Sequence, residues 1–475
     1  MGVEKNIVTD TIFALYERQP EGPKYRMLSA ALRQGVAKAL LPPGTQLPPV
    51  RDLAWRLGMT PGTVARAYTL LTDEDLLSAE VGRGTFVSGQ AEQRPPLYVT
   101  RPWTEGPDGA EMVNLFTARL PDLGQISLIN ESFQRLALRP DRALLDYPTA
   151  AAFAPARRAV VDWLSAVPLG VLHHEDVVLS HGAESGISLV MQAVLRGRRP
   201  VVMVEELAYP GFRRAAELLR ADIVSVPMDE HGIVPSALEE IARKHEGQIL
   251  CTSPELNNPT AIVTPSERRR EIAEVARRCG FDVLEDDCTF LGETRAETYR
   301  ALLPEQGWFV SSISKTLTPA LRIGFAIAPQ GKRLMLRRVA ENGFFGLSRP
   351  LADLAEDLLT RDETREIVRS VRRRNAVYVR ATVNALGGHD LGWHQHSPFA
   401  WLRLPQGWRS AAFCLAAEAQ GVQVRPAEDF APRTGFAPHA IRIGMNAQVA
   451  LSDFEDALAR LRCLLDNPPE QGMMA

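Results

Sequence analysis

Near the start of the chain, Leu28, Leu32, Val36 and Leu40 recur at helical spacing, and Pro42-Pro43-Gly44 stops the helix they define. A short second helix is predicted from about Val50 to Leu57. Gly58-Met59 then makes a turn, and Thr60 is placed to cap a third helix that opens with Pro61. Val64, Tyr68, Leu71 and Leu76 mark the buried side of that helix. From Leu77 to Val87 the pattern alternates around glycines, as a two-stranded hairpin does. Residues 11–88 therefore read as a small helical domain closed by a β-wing.

Residues 89–112 are rich in Gln, Arg, Glu, Pro and Gly, with Pro95-Pro96 stiffening them, and read as a linker. From 113 to 475 short β-branched runs alternate with helical patterns. Val177-Val178-Leu179, Val201 to Val204, Ile223 to Val226, Gln248-Ile249-Leu250 and Val283-Leu284 are strand candidates, and the predicted helix Ile187 to Leu195 follows the first. Such alternation argues for an α/β domain with a mostly parallel sheet covered by helices. A smaller C-terminal α+β lobe is expected over about 346–475, including a strand from Phe399 to Leu404.

At 475 residues the chain exceeds one ordinary core, and 45% hydrophobic with 23% charged residues describe a globular protein. The net charge of −3 offers no overall basicity, so any nucleic-acid contact must come from a local surface. Five scattered cysteines without a CxxC pair argue against a disulfide framework or a metal site and suit a reducing cytoplasm. The polar, acidic N-terminus and the lack of a long apolar run lead us to expect neither secretion nor membrane insertion.

Three motifs follow one another in the small domain: Leu47-Pro48-Pro49-Val50-Arg51, Thr63-Val64-Ala65-Arg66-Ala67-Tyr68 and Gly82-Arg83-Gly84-Thr85-Phe86-Val87. Their order and spacing resemble a GntR-type winged helix-turn-helix. Far downstream, Ser311-Ser312-Ile313-Ser314-Lys315 followed by Arg322-Ile323-Gly324 resembles the lysine segment of a fold-type-I pyridoxal 5'-phosphate (PLP) enzyme. Joined in one chain, the two resemble the MocR family, transcription regulators built from an aminotransferase-like domain.

The resemblance implies that Arg51, Thr63, Arg66 and the wing-tip Arg83 contact operator DNA. GntR-like helices usually carry an arginine where this chain has Pro61, so one usual base contact is missing. In the PLP domain the resemblance makes Lys315 the partner of the cofactor aldehyde, with Ser312 and Arg322 on the phosphate. Gly182, Ala183 and Glu184 open a helix whose free N–H groups complete the phosphate cradle, Glu184 through its backbone alone. Asp286 faces the protonated pyridine nitrogen, Asn258 the 3-oxygen, and Tyr209 the ring face. Asp287 reads as a turn cap. Cys288 stands where the family has a tyrosine, and Ala261 where Asn-Pro-Thr-Gly would have its glycine. Tyr147 corresponds to a residue reaching a neighbouring subunit's phosphate, and Arg442 to the arginine that grips a substrate carboxylate.

These assignments lead us to expect a PLP-binding transcription regulator that senses an amino acid or amine and acts as a head-to-tail homodimer on DNA. The alternative is a working aminotransferase with an accessory DNA-binding domain, because Lys315, Asp286, Arg322 and Arg442 are all retained. A regulator that had lost PLP would not be expected to keep Lys315.

Overall fold

The computed structural model describes residues 2–17, 19, 23–38, 40–42, 44–73, 76–80, 84–87, 112–138, 145–288, 296–344, 346–431 and 437–469. The chain divides into two compact units, Met1–Pro102 and Trp103–Ala475.

The first unit holds helices Gly2–Tyr16, Lys24–Ala37, Val50–Arg56 and Pro61–Asp73, then an antiparallel hairpin of Leu77–Glu80 with Gly84–Val87. Leu28, Leu32, Leu53, Val64, Leu71, Leu77 and Val87 share one core, so helical and alternating patterns converge on the same interior. Thr60 caps the last helix, its Oγ1 accepting from the Thr63 N–H at 3.3 Å. Two features differ from the sequence reading. The helix predicted through Leu40 ends at Ala37, so Leu40 is exposed and Leu41 fills the core instead. The first helix also begins well before residue 11, at Gly2, and it buries Ile12 and Leu15.

The second unit is built on a seven-stranded sheet. In spatial order its strands are Val177–His181, Ile323–Ile327, Gly307–Ser312, Asp282–Asp286, Ile249–Thr252, Val201–Glu205 and Asp222–Val226. Only Ile323–Ile327 runs antiparallel to its neighbours. Val178, Val204, Trp308 and Ala326 enter one core, while Val177, Phe309 and Phe325 enter another. Burial on both faces explains why these strands read as continuous apolar runs rather than as alternation.

The smaller lobe carries a four-stranded sheet in the order Leu391–Gly392, Phe399–Arg403, Ala440–Gly444, Arg425–Pro426. Packing draws its edge differently from the expected start near residue 346. Leu347, Ala352, Leu354 and Leu358 belong to the core under the large sheet, and the change falls within helix Asp362–Leu386. Early in that helix Ile367 packs with the large lobe, whereas Tyr378, Val379 and Leu386 pack with the small one. The small lobe also recruits the start of the unit. Val113–Asn114 pairs in parallel with Val422–Gln423, and the Leu115 carbonyl accepts from the Gly444 N–H at 2.7 Å. Among the described residues no helix is long and apolar enough to cross a membrane.

Candidate functional site

Parallel strands deliver their C-terminal ends to one edge of the sheet, where α/β proteins bind ligands. Strand Asp282–Asp286 ends there in Asp286, strand Val177–His181 passes into Gly182, and strand Gly307–Ser312 leads to Lys315. The antiparallel strand starts at the same edge, with Ile323 opposite His181 and Gly324 between Ser180 and Ser312. That register sets Arg322 over the start of helix Gly182–Val194. A Cβ on Gly182, which has φ +73°, would lie 2.9 Å from Arg322 Nη2. A Cβ on Gly324 would lie 2.4 Å from the Gly182 carbonyl carbon, so both positions need glycine for the chains to approach. Arg322 itself has φ 50°, a left-handed conformation costing about 1–3 kcal/mol in a non-glycine residue.

Asp286 is buried, and its Oδ1 has no hydrogen-bond partner among the described residues. Burial pushes its carboxyl up to about 6, while hydrogen bonds from the Cys288 thiol and N–H pull it down. Burial first, then the Asp286 carboxylate, push the Cys288 thiol well up, with Ser312 opposing. Lys315 lies in the same electrostatic neighbourhood. Burial first, then the positive charges of Arg442 and Arg322, push its ammonium down to about 8, with Cys288 and Glu184 opposing.

The glutamate given only a backbone role is placed otherwise: the Glu184 side chain turns into the cradle. Its Oε1 accepts from Tyr209 Oη and from Arg214 Nη2, both at 2.8 Å, and its Oε2 lies 3.3 Å from Arg322 Nη2. Tyr209 folds back over Gly211, where a Cβ would stand 2.2 Å from the ring, and meets Phe212 edge-on at 5.9 Å. Asp287 is half-buried, and burial together with the charges of Glu285, Glu255 and Asp286 pushes its carboxyl well up.

Arg442 is buried on strand Ala440–Gly444. It donates to Asn258 Oδ1 at 2.8 Å and to the Phe116 carbonyl at 3.1 Å, between the rings of Phe399 and Phe430 at 5.2 and 5.0 Å. Asn258 is presented by a turn in which Asn257 Oδ1 accepts from the Thr260 N–H and hydroxyl, and Ala261 takes φ 62°. That left-handed position explains why glycine suits the motif.

Further contributors were not legible in the sequence. Arg425 pairs with Arg442 across the strand register, binds Asp429 at 2.8 Å and stacks on Phe116 and Phe430. Arg213 donates to the carbonyls of Asp429 and Ala431, and the Ala208 N–H to that of Phe430, tying this loop to the large lobe. Glu205, at a strand end, accepts from Thr252 Oγ1 at 2.6 Å and from the Ser253 N–H at 3.0 Å, and burial pushes it up to about 7. Tyr147 stands exposed.

In the first unit Arg51 and Arg66 are exposed and Thr63 is partly so. Arg66 rests over the Tyr25 ring, 4.1 Å from its centre, and Thr63 Oγ1 lies 2.9 Å from Thr60 Oγ1. Arg83 lies outside the described residues.

Residues 110–461 match the aminotransferase class I and II family, and the chain belongs to it. Residues 24–87 match bacterial regulatory proteins of the gntR family, so the whole has the MocR architecture. The chain is 25% identical to the HTH-type transcriptional regulator YdeF of Bacillus subtilis over 94% of its own length and 95% of that protein's. It is 28% identical to the HTH-type pyridoxine biosynthesis transcriptional regulator PdxR of Corynebacterium glutamicum, over 64% of this chain and 65% of that one. Among solved structures it resembles LysN, an alpha-aminoadipate aminotransferase of Thermus thermophilus complexed with N-(5'-phosphopyridoxyl)-L-leucine. The TM-score there is 0.65 at 23% identity, covering 75% of this chain and 92% of that one.

The cofactor of this domain is PLP. The residues present fit it: Asp286 keeps a buried carboxylate oxygen without a protein donor, the glycines at 182 and 324 leave room over a helix start, and Arg322 stands beside them.

Proposed function

We propose that the chain is a transcription regulator whose aminotransferase-like domain binds PLP and an amino acid or amine, and whose winged helix reads an operator. The reading is carried by one conjunction: a helix-turn-helix unit shares a chain with a site that retains Lys315, Asp286, Arg322 and Arg442. When bound, PLP supplies an amine-reactive aldehyde and an electron-withdrawing ring. In this reading Lys315 holds the aldehyde, with Ser312, Arg322 and the N–H groups of Gly182, Ala183 and Glu184 on the phosphate. Asp286 holds the ring nitrogen, Asn258 faces the 3-oxygen, Cys288 buttresses Asp286, and Tyr209 covers the ring. Arg442 receives the effector's carboxylate, and its pairing with Asn258 keeps the guanidinium oriented until then. Arg51, Thr63, Arg66 and Arg83 face DNA. The protein works in the cytoplasm as a head-to-tail homodimer, in which the exposed Tyr147 reaches the other subunit's phosphate.

The lowered ammonium of Lys315 and the retained Arg442 also support the second reading, an aminotransferase that turns over. Mixing the PLP-loaded protein with a panel of amino acids separates the two. Regulation predicts a lasting spectral change and altered operator binding without release of keto acid; repeated keto-acid release without any change in operator binding would reverse the order of the two readings. Borohydride should fix the cofactor to Lys315, and mass spectrometry placing it on another lysine would overturn the site.

A further inference from the structure

A carboxylate inside an anion cradle is an unusual resident. Helix Gly182–Val194 opens beneath Arg322, and Glu184 sits in its first turn. Its two oxygens are engaged differently. Oε1 has two donors, the Tyr209 hydroxyl and Arg214, which hold it without help from the cradle. Oε2 lies 3.3 Å from Arg322 Nη2, a longer contact than those two. Arg322 is the guanidinium that the register of strand Ile323–Ile327 sets over the helix start. The Glu184 charge also extends further into the site, opposing the downward shift of Lys315 and adding to the upward shift of Asp286.

We propose that Glu184 is an affinity-setting residue of the cofactor site, an internal anion that competes with the phosphate of PLP for Arg322. Like charges brought together over one guanidinium repel, and the repulsion falls on the doubly charged phosphate rather than on the ring. As the phosphate takes Arg322, Oε2 gives it up while Oε1 remains on Tyr209 and Arg214, so the competition needs no refolding of the helix. The cradle therefore discriminates between phosphorylated and unphosphorylated forms of the same vitamer less sharply than a neutral residue would allow, and PLP exchanges more readily. The inference rests on the PLP reading and deepens it.

The test uses the full-length protein, freed of cofactor with hydroxylamine and titrated by absorbance with PLP and, separately, with pyridoxal. Glu184→Gln keeps an acceptor for Tyr209 and removes the charge. It should bind PLP at least tenfold tighter than the wild type, with pyridoxal affinity changed less than twofold. Unchanged or weaker PLP binding, with the borohydride adduct still on Lys315, would overturn the competition. An equal gain for pyridoxal would overturn the assignment to the phosphate. Glu184→Ser, measured in the same way, decides the matter if the Gln variant loses its cooperative thermal transition. Failure of the wild type to form any adduct on Lys315 would instead overturn the cofactor reading itself.

Discussion

The rate at which the protein captures PLP should follow the titration of Lys315. Only the neutral amine attacks an aldehyde, and burial with the charges of Arg442 and Arg322 brings the ammonium from its ordinary 10.5 down to about 8. At pH 7 roughly one molecule in ten then carries a neutral amine, about 300-fold more than an unshifted lysine would offer. Capture measured by stopped-flow absorbance on cofactor-free protein should rise about tenfold per pH unit well below pH 8 and level off above it. The perturbation is Arg442→Gln, which removes the second of the causes and should move the bend to higher pH. Removing Glu184's charge, which opposes the shift, should move it lower. A wild-type rate still climbing tenfold per unit through pH 9.5 would refute the reasoning, because it would place the reacting amine in ordinary solvent.

Gly324→Ala would put a methyl 2.4 Å from the Gly182 backbone; we expect roughly 1–3 kcal/mol of lost stability by thermal or urea melting, together with weakened PLP binding. Arg442→Ala should leave the Lys315 adduct intact while weakening amino-acid effectors by about 1.5–3 kcal/mol in calorimetric titration; wild-type affinity in the variant would place the effector's anionic group elsewhere. Arg66→Ala should cost about 1–3 kcal/mol on the cognate operator alone if it reads a base, or weaken all DNA alike if it holds a phosphate, as mobility shifts on specific and random duplexes would show.

Much of the molecule was legible because local chemistry and final packing agree. The Thr60 cap, the Pro61 start and the apolar run of Val64, Tyr68 and Leu71 all describe one helix, and that helix forms. The strand runs were equally plain, since burial on both faces leaves little room for polar residues. What escaped depends on distant neighbours. Arg425 gains its meaning from lying opposite Arg442 and between two rings, a relation set by strand register. The Glu184 side chain looked ill-suited to an anion site, and only the positions of Tyr209, Arg214 and Arg322 explain where it goes. The lobe boundary escaped because it falls inside a continuous helix, where no break in periodicity marks the change from one core to the other.

The segment arriving from the winged-helix side is fastened at an unexpected place. It is sewn to strand Ala440–Gly444 through the Leu115 carbonyl, and one residue later the Phe116 carbonyl takes a hydrogen bond from Arg442. The Phe116 carbonyl thereby shares with Asn258 the guanidinium that the proposed function gives to the effector's carboxylate. In that reading a carboxylate that draws on Arg442 also acts on the Phe116 carbonyl, one residue from the hydrogen bond that fastens Leu115 to Gly444. Any free energy by which such a ligand shifts this backbone contact would, by reciprocity, return as a change in ligand affinity when the contact itself is altered.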